Sequence, residues 1–166
     1  MADITENLTA QMQETLEKGV SLAIFSKNPQ VVPLHAFWAL LADSNSILNQ
    51  VFNKMNISKD AVELEIKSKI SSLPSSSNVT KDNVSVSREL INSLENAKAL
   101  MVSIGDSYIA VDTWIISALE LSEIKQILSK FCAQAVKKAW HTPFFKFQIY
   151  LAIYLNLISI RVHQVI

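Results

Sequence analysis

The chain has 166 residues, which is enough for one domain with a sizeable core. Its 15 basic and 15 acidic residues cancel, so no overall field attracts nucleic acid or anionic lipid. Its two glycines, Gly19 and Gly105, lie too far apart for a Walker-type or Rossmann phosphate loop, so we expect neither nucleotide binding by those routes nor a cofactor. A single cysteine, Cys132, excludes an internal disulfide, and the polar start MADITENLTA is unlike a secretory signal, so the expected compartment is the cytoplasm.

Helical periodicity predicts four helices in the first part of the chain. The first three are expected at residues 5–25, 33–42 and 46–56. Pro33 suits the first position of its helix, because the N–H it lacks would have no partner there. The fourth follows a predicted cap at Ser58 and carries one apolar face, formed by Val62, Ile66, Ile70 and Leu73.

A polar, serine-rich stretch, SLPSSSNVTKDN, separates these helices from a second group. Ser87 is the predicted cap of the next helix, which should end near Gly105 in a left-handed turn. Two more helices are expected at residues 112–119 and 122–131. No useful run of alternating polar and apolar residues occurs before residue 140, so the predicted body is all-α.

The second group of helices repeats the first. A shift of 78 residues aligns apolar positions of the two groups, among them Met12 with Leu90, Leu22 with Leu100 and Val31 with Ile109. After a gap of two residues, Leu48, Val51, Phe52 and Met55 align with Ile124, Ile127, Leu128 and Phe131. We therefore predict a pseudo-twofold tandem repeat of four-helix units in one domain, 1–138, with repeat one at 3–73, a linker at 74–84 and repeat two at 85–138.

The repeat ends near Lys138, and the composition then changes abruptly. Residues 139–166 hold only two fixed charges, Lys146 and Arg161. The uncharged run from Phe147 to Ile160 is short of the roughly 20 residues that span a bilayer. This tail is expected either to pack on the body or to be a non-native, out-of-frame extension, and the sequence leaves both open.

The motifs of the body resemble a known family. QVVPLHAFWALLAD, its echo GDSYIAVDTWIISALE, and the intervening KMNI and SSLP are similar to the Clp amino-terminal domain. That domain is a double repeat of four helices at the front of the ClpA, ClpB and ClpC unfoldases. The phrase PLH, the phrase GD-aromatic-Ile and the linker length look most like the ClpB-type disaggregases. The resemblance covers about residues 3–138 and leaves out the tail.

The resemblance implies substrate handling without catalysis by this part of the chain. Family members capture exposed segments of unfolded or aggregated proteins in a groove between the repeats and pass them to hexameric AAA+ rings, in some cases with a chaperone partner. The family's groove residues match Thr9, Asp106 and Asp112. Asp112 stands where a longer glutamate is usual, and Thr113 where an apolar residue is preferred. Both acids also have a structural explanation, since Asp106 can close the turn after Gly105 and Asp112 can favour its helix through the dipole.

A groove for unfolded chains needs some accessible apolar side chains. The candidates that flank the aligned positions are Leu8, Val86, Leu94 and Trp114. His35 is interpreted as a structural, hydrogen-bonded histidine near a helix start, because no second ligand lies three or four residues further on. His141 and His163 lie in the tail, and no metal site is expected.

Other functions stay open at this stage. The first is an adaptor-docking domain of the ClpA or ClpC kind that feeds a protease. The second, from a different class, is a small membrane-associated protein anchored by residues 144–166. For a hydrolase we find no pair of nucleophile and base and no paired acids.

Overall fold

The computed structural model describes residues 7–137, which form an all-α body with two very short strands, as the sequence predicts in its main feature. The elements in chain order are α1 (Ala10–Phe25), β1 (Gln30–Val31), α2 (Pro33–Ala42), α3 (Ile47–Lys54), α4 (Lys59–Ser71), β2 (Ser85–Val86), α5 (Arg88–Ser103), α6 (Val111–Ala118) and α7 (Ser122–Lys137). The expected fourth helix of repeat two and the tail, 139–166, lie outside the described residues.

The two repeats correspond residue by residue at their starts. A shift of 78 carries both ends of α1 onto both ends of α5, and the first residue of α2 onto the first residue of α6. Thr9 and Ser87 correspond in the same way, and each caps its helix, with the hydroxyl oxygen accepting from Met12 N and Leu90 N at 3.2 Å. The predicted cap at Ser58 is also present, 3.3 Å from Ala61 N.

The repeats are joined by reciprocal pairing of extended segments. β1 and β2 lie parallel with Val31 opposite Val86, and a parallel bridge joins Leu8 to Ile109. The shift of 78 carries Leu8 to Val86 and Val31 to Ile109, so the two pairings are equivalent. In both pairings, the residues just before the first helix of one repeat pair with the residues just before the second helix of the other. These strands are not evident from the sequence, because two residues are too few to show a period of two.

Some helix ends differ from prediction. α1 begins at Ala10 and not near Thr5. Thr9 is extended (φ −65°, ψ 155°), and its hydroxyl caps the N-terminus of the helix. α6 begins at Val111, one residue earlier than predicted. Its N-cap, Ala110, has no side-chain acceptor to cap the helix. α7 runs to Lys137, six residues beyond the predicted end.

The core lies on both sides of α2. Eight of the ten residues of α2 are buried, among them His35. α1 packs closely on α2, since a Cβ added to Gly19 would lie 3.1 Å from the backbone nitrogen of Ala36. The other large, fully buried side chains include Met12, Leu34, Phe37, Leu40, Leu41, Ile66, Ile109, Trp114, Ile115 and Ile124. Leu16, Leu22 and Trp38 are half-buried against it.

Candidate functional site

Thr9 is the first of the predicted site residues and lies at the start of α1. Its hydroxyl oxygen accepts a hydrogen bond from Met12 N, while the hydroxyl keeps its own hydrogen to donate. The side chain is half-buried. Thr9 can therefore cap its helix and offer one donor to a ligand at the same time.

Asp106 lies in the loop between α5 and α6, and Asp112 follows that loop at the start of α6. Gly105 ends α5 in the left-handed region (φ 79°), as predicted, and the N–H of Asp106 donates to the Met101 carbonyl at 3.0 Å. Asp112 lies in the first turn of α6, where its Oδ1 accepts from Thr113 N at 2.8 Å. Both carboxylates are half-buried. A carboxylate accepts about four hydrogen bonds, and Oδ2 of Asp106 is buried.

The structure brings Thr9 to the middle of this loop. The Thr9 N–H donates to the Ile109 carbonyl at 3.1 Å, and the Ile109 N–H donates to the Asn7 carbonyl at 2.6 Å. Ile109 is three residues from Asp106 and three from Asp112. The surface formed by residues 7–9 and 104–112 is called seam A below. Its side chains include the hydroxyls of Thr9, Ser107 and Tyr108 and the carboxylates of Asp106 and Asp112.

Of the four apolar candidates, three are buried and one is half-buried. Leu8, Leu94 and Trp114 lie in the core, with 4%, 5% and 0% of their surface exposed. Leu94 and Trp114 cannot contact a ligand in this conformation, and Leu8 meets a surface groove with only that small exposed part, which corrects the expectation that the three are accessible. Val86 is half-buried and packs against the core from the opposite pairing, beside Val31.

Seam A has exposed apolar side chains that the sequence analysis did not select. Ile104 is 46% exposed and Tyr108 is 56% exposed, and Val102 is exposed on the adjoining end of α5. Their signal in the sequence is modest: Tyr108 is a lone aromatic in the loop that follows Gly105. These side chains supply the accessible apolar surface that a groove for unfolded segments needs.

A groove of about 580 Å³ runs along α1. Leu8 and Lys81 of the linker are among the residues that line it. The other lining residues are Gln13, Leu16, Glu17, Val20, Ser21 and Ile24. The groove adjoins seam A through Leu8, so an extended ligand can lie along both.

His35 has a structural environment, as predicted. It is fully buried, its Nδ1 accepts from Val32 N at 3.0 Å, and its Nε2 lies 3.1 Å from Asn28 Oδ1. Burial lowers the pKa of the imidazole from 6.5 to about 4, so the ring is neutral at physiological pH. Within residues 7–137 no group of three metal-ligating side chains comes together.

Comparison with protein families identifies the fold. The family model of the Clp repeat (R) N-terminal domain matches residues 7–131. The chain belongs to this family. Two ClpB chaperones are similar in sequence to this Clp N-terminal domain. The one from Wolinella succinogenes is 49% identical over 126 residues, and the one from Helicobacter hepaticus is 46% identical over 120 residues.

These alignments cover 76% and 72% of the chain but only 15% and 14% of the ClpB proteins. The match is to the Clp N-terminal domain alone. No helix among residues 7–137 is long and apolar enough to cross a membrane.

Solved structures show the same fold at low sequence identity. The N-terminal domain of Hsp104 from Candida albicans superposes with a TM-score of 0.68 at 22% identity, over 79% of this chain and 90% of that one. The N-domain of ClpV from Vibrio cholerae gives 0.66 at 21% identity, over 82% and 84%. A ClpV N-domain in complex with a VipB peptide gives 0.62 at 20% identity, over 78% and 82%.

Proposed function

We propose that the chain is the substrate-capturing N-terminal domain of a ClpB-type disaggregase and that seam A holds exposed segments of unfolded or aggregated proteins. The observation that carries the proposal is the 3.1 Å hydrogen bond between Thr9 N and Ile109 O. It joins the start of α1 to Ile109, which lies between Asp106 and Asp112 in the sequence, so residues far apart in sequence form one polar surface beside Tyr108.

The chemistry of seam A fits an extended backbone. A bound segment presents N–H and C=O groups alternately along its length. The hydroxyl of Thr9 can donate to a carbonyl, and the carboxylates of Asp106 and Asp112 can accept N–H groups. Tyr108 and Ile104 add apolar contact without selecting a sequence. A site built this way recognises unfolded backbone and not one particular peptide.

Binding at seam A should be weak. A shallow site that buries on the order of 400 Å² of apolar surface gains about 10 kcal/mol. Association and ordering of a flexible segment cost about 4–15 kcal/mol. The surplus corresponds to a dissociation constant of tens of micromolar or weaker. Weak capture suits a domain that hands its segment to hexameric AAA+ rings, which are the partners proposed for the full-length protein.

The test is capture of a permanently unfolded, fluorescently labelled polypeptide by the chain and its alanine variants. Thr9→Ala, Asp106→Ala and Asp112→Ala should each weaken binding several-fold. Ser87→Ala is the matched control for Thr9, because it removes the equivalent helix cap in the other repeat. Asp43→Ala removes an acid outside seam A. Loss of binding in the two controls, or parent-like binding by all three seam variants, would contradict the proposal.

A further inference from the structure

In repeat one, the chain's own linker occupies the position that corresponds to seam A. Asn28 Nδ2 donates to the Pro74 carbonyl at 3.0 Å, and the Ser76 N–H donates to the Lys27 carbonyl at 2.8 Å. The linker thus accepts one hydrogen bond through its Pro74 carbonyl and donates another through the N–H of Ser76, two residues later. The surface formed by residues 26–34 and 85–87 is called seam B below.

Seam B and seam A have the same backbone geometry at the key positions. The shift of 78 carries Lys27 to Gly105 and Asn28 to Asp106. Lys27 and Gly105 are both left-handed, with φ of 59° and 79°. The next N–H donates to the carbonyl five residues back in both, Asn28 to Ala23 at 2.8 Å and Asp106 to Met101 at 3.0 Å. The Gly105 carbonyl is therefore the counterpart of the Lys27 carbonyl that binds the linker.

Seam A is accessible where seam B is covered. A Cβ added to Gly105 would meet no described atom within 4 Å, apart from its chain neighbours. Ile104 and Tyr108 on either side are about half exposed. In seam B, by contrast, Leu73 at the end of repeat one and Pro74 of the linker line a groove of about 470 Å³ together with Asn28.

The two seams differ in one chemical respect. The amide of Asn28 donates to the carbonyl of Pro74, whereas a carboxylate at the same position can only accept. Asp106 therefore cannot hold a segment by that carbonyl, but it can pair with a lysine or arginine side chain or with an N–H.

We propose that seam A binds an extended polypeptide segment by the backbone contact that Lys27 makes to the linker in seam B, without the carbonyl contact that Asn28 makes. A backbone N–H of the segment donates to the Gly105 carbonyl. The residue two positions earlier lies at Asp106, where a lysine or arginine is preferred and an acidic residue is disfavoured. This inference rests on the proposed function and adds to it a binding pose and a charge preference: neutral to basic unfolded segments bind better than acidic ones.

The experiment uses peptides copied from residues 71–78 (SSLPSSSN), which include the start of the linker, with the Pro74→Lys or Pro74→Glu change. Each is titrated into the full chain and followed by backbone chemical shifts. We expect the lysine peptide to bind about three- to fivefold more tightly than the glutamate peptide, in line with one exposed ion pair. The shifts should centre on Gly105, Asp106 and Tyr108.

The Asp106→Asn variant converts seam A to the chemistry of seam B. In this variant the preference for lysine should fall below about twofold, and the unchanged linker peptide should bind more tightly than it does to the parent. Asp43→Asn is the matched control, because it removes the same charge at the end of α2 and should leave the preference intact.

Three results would overturn the inference. The first is equal affinity of the parent protein for the lysine and glutamate peptides. The second is chemical-shift changes centred on Asn28 and Pro29 and not on Gly105. The third is nuclear Overhauser contacts that show residues 139–166 to be the occupant beside Tyr108. A permanently unfolded polypeptide is titrated in parallel. If it perturbs seam A while the peptides show no charge preference, only this inference fails. If it does not perturb seam A, the proposed function fails as well.

Discussion

The imidazole of His35 lies with its Nε2 atom 3.1 Å from the side-chain oxygen of Asn28. Because Nδ1 accepts the Val32 N–H, the single proton of the neutral ring is on Nε2 and is donated to Asn28. The amide of Asn28 then donates to Pro74. One buried histidine thus joins the start of α2, the end of α1 and the linker.

Acid should destabilise the domain through this ring. The pKa of His35 is lowered by burial from 6.5 to about 4, so the unfolded chain binds a proton in this range that the folded chain does not. The contribution to stability is complete above pH 6.5, falls as the pH drops, and levels off below about 4. The loss approaches about 3 kcal/mol. Urea unfolding at a series of pH values measures it.

His35→Gln separates this effect from those of other groups. The variant should be less stable at neutral pH, because the hydrogen-bonded ring is lost. The difference in unfolding free energy between parent and variant should shrink between pH 6.5 and 4. His141 and His163 are present in both proteins and cancel. A difference that is constant over this range would contradict the assigned role.

Ser93 should be a sensitive position in α5. Its hydroxyl oxygen accepts from Trp114 Nε1 at 3.0 Å and its hydroxyl donates to the Leu90 carbonyl at 2.7 Å, and both side chains are fully buried. Ser93→Ala leaves a buried indole N–H without a partner, which costs about 1–3 kcal/mol. Ser103→Ala is the control, since that serine makes the same bond to Leu100 at an exposed position. Equal losses in thermal denaturation would contradict the assignment.

The equivalent caps Thr9 and Ser87 should contribute equally to stability. Each side chain accepts one backbone N–H at 3.2 Å, so Thr9→Ala and Ser87→Ala should each cost about 1 kcal/mol. Thr9→Ser and Ser87→Thr should cost much less, because a hydroxyl remains. Chemical denaturation measures all four. If only one of the two alanine variants lost stability, the caps would contribute unequally to the unfolding free energy, and the prediction would be wrong.

The left-handed positions after α1 and α5 allow reciprocal substitutions. Gly105→Ala meets no steric obstacle but places a Cβ at φ 79°, which should cost about 1 kcal/mol. Lys27→Gly relieves the same strain at φ 59° and should be neutral to slightly stabilising, because glycine also raises the entropy of the unfolded chain. If Gly105→Ala stabilised the protein, the left-handed conformation would be contradicted.

Most of the helical framework could be predicted from local sequence. The bounds of α2, the caps at Ser58 and Ser87 and the left-handed end at Gly105 each depend on residues within one turn. The shift of 78 added the relation between repeats. These features depend on spacing and on a few special side chains, which a single sequence displays.

What escaped prediction depends on contacts between the repeats. The pairings of Leu8 with Ile109 and Val31 with Val86 need partners far along the chain. The burial of Leu94 and Trp114 depends on how closely the helices cover them, whereas the sequence indicates only which face is apolar. For the same reason the exposure of Tyr108 beside Asp106 became evident only in the folded structure.

The central claim is that seam A captures unfolded polypeptide. Its most direct test is chemical-shift mapping of the full chain during titration with a reduced, carboxymethylated model protein. We expect saturable shifts at Thr9, Asp106, Tyr108 and Asp112, with a dissociation constant of tens of micromolar, and none at Asp43. Saturable binding whose shifts avoid residues 7–9 and 104–112, or no binding at millimolar concentration, would contradict the account.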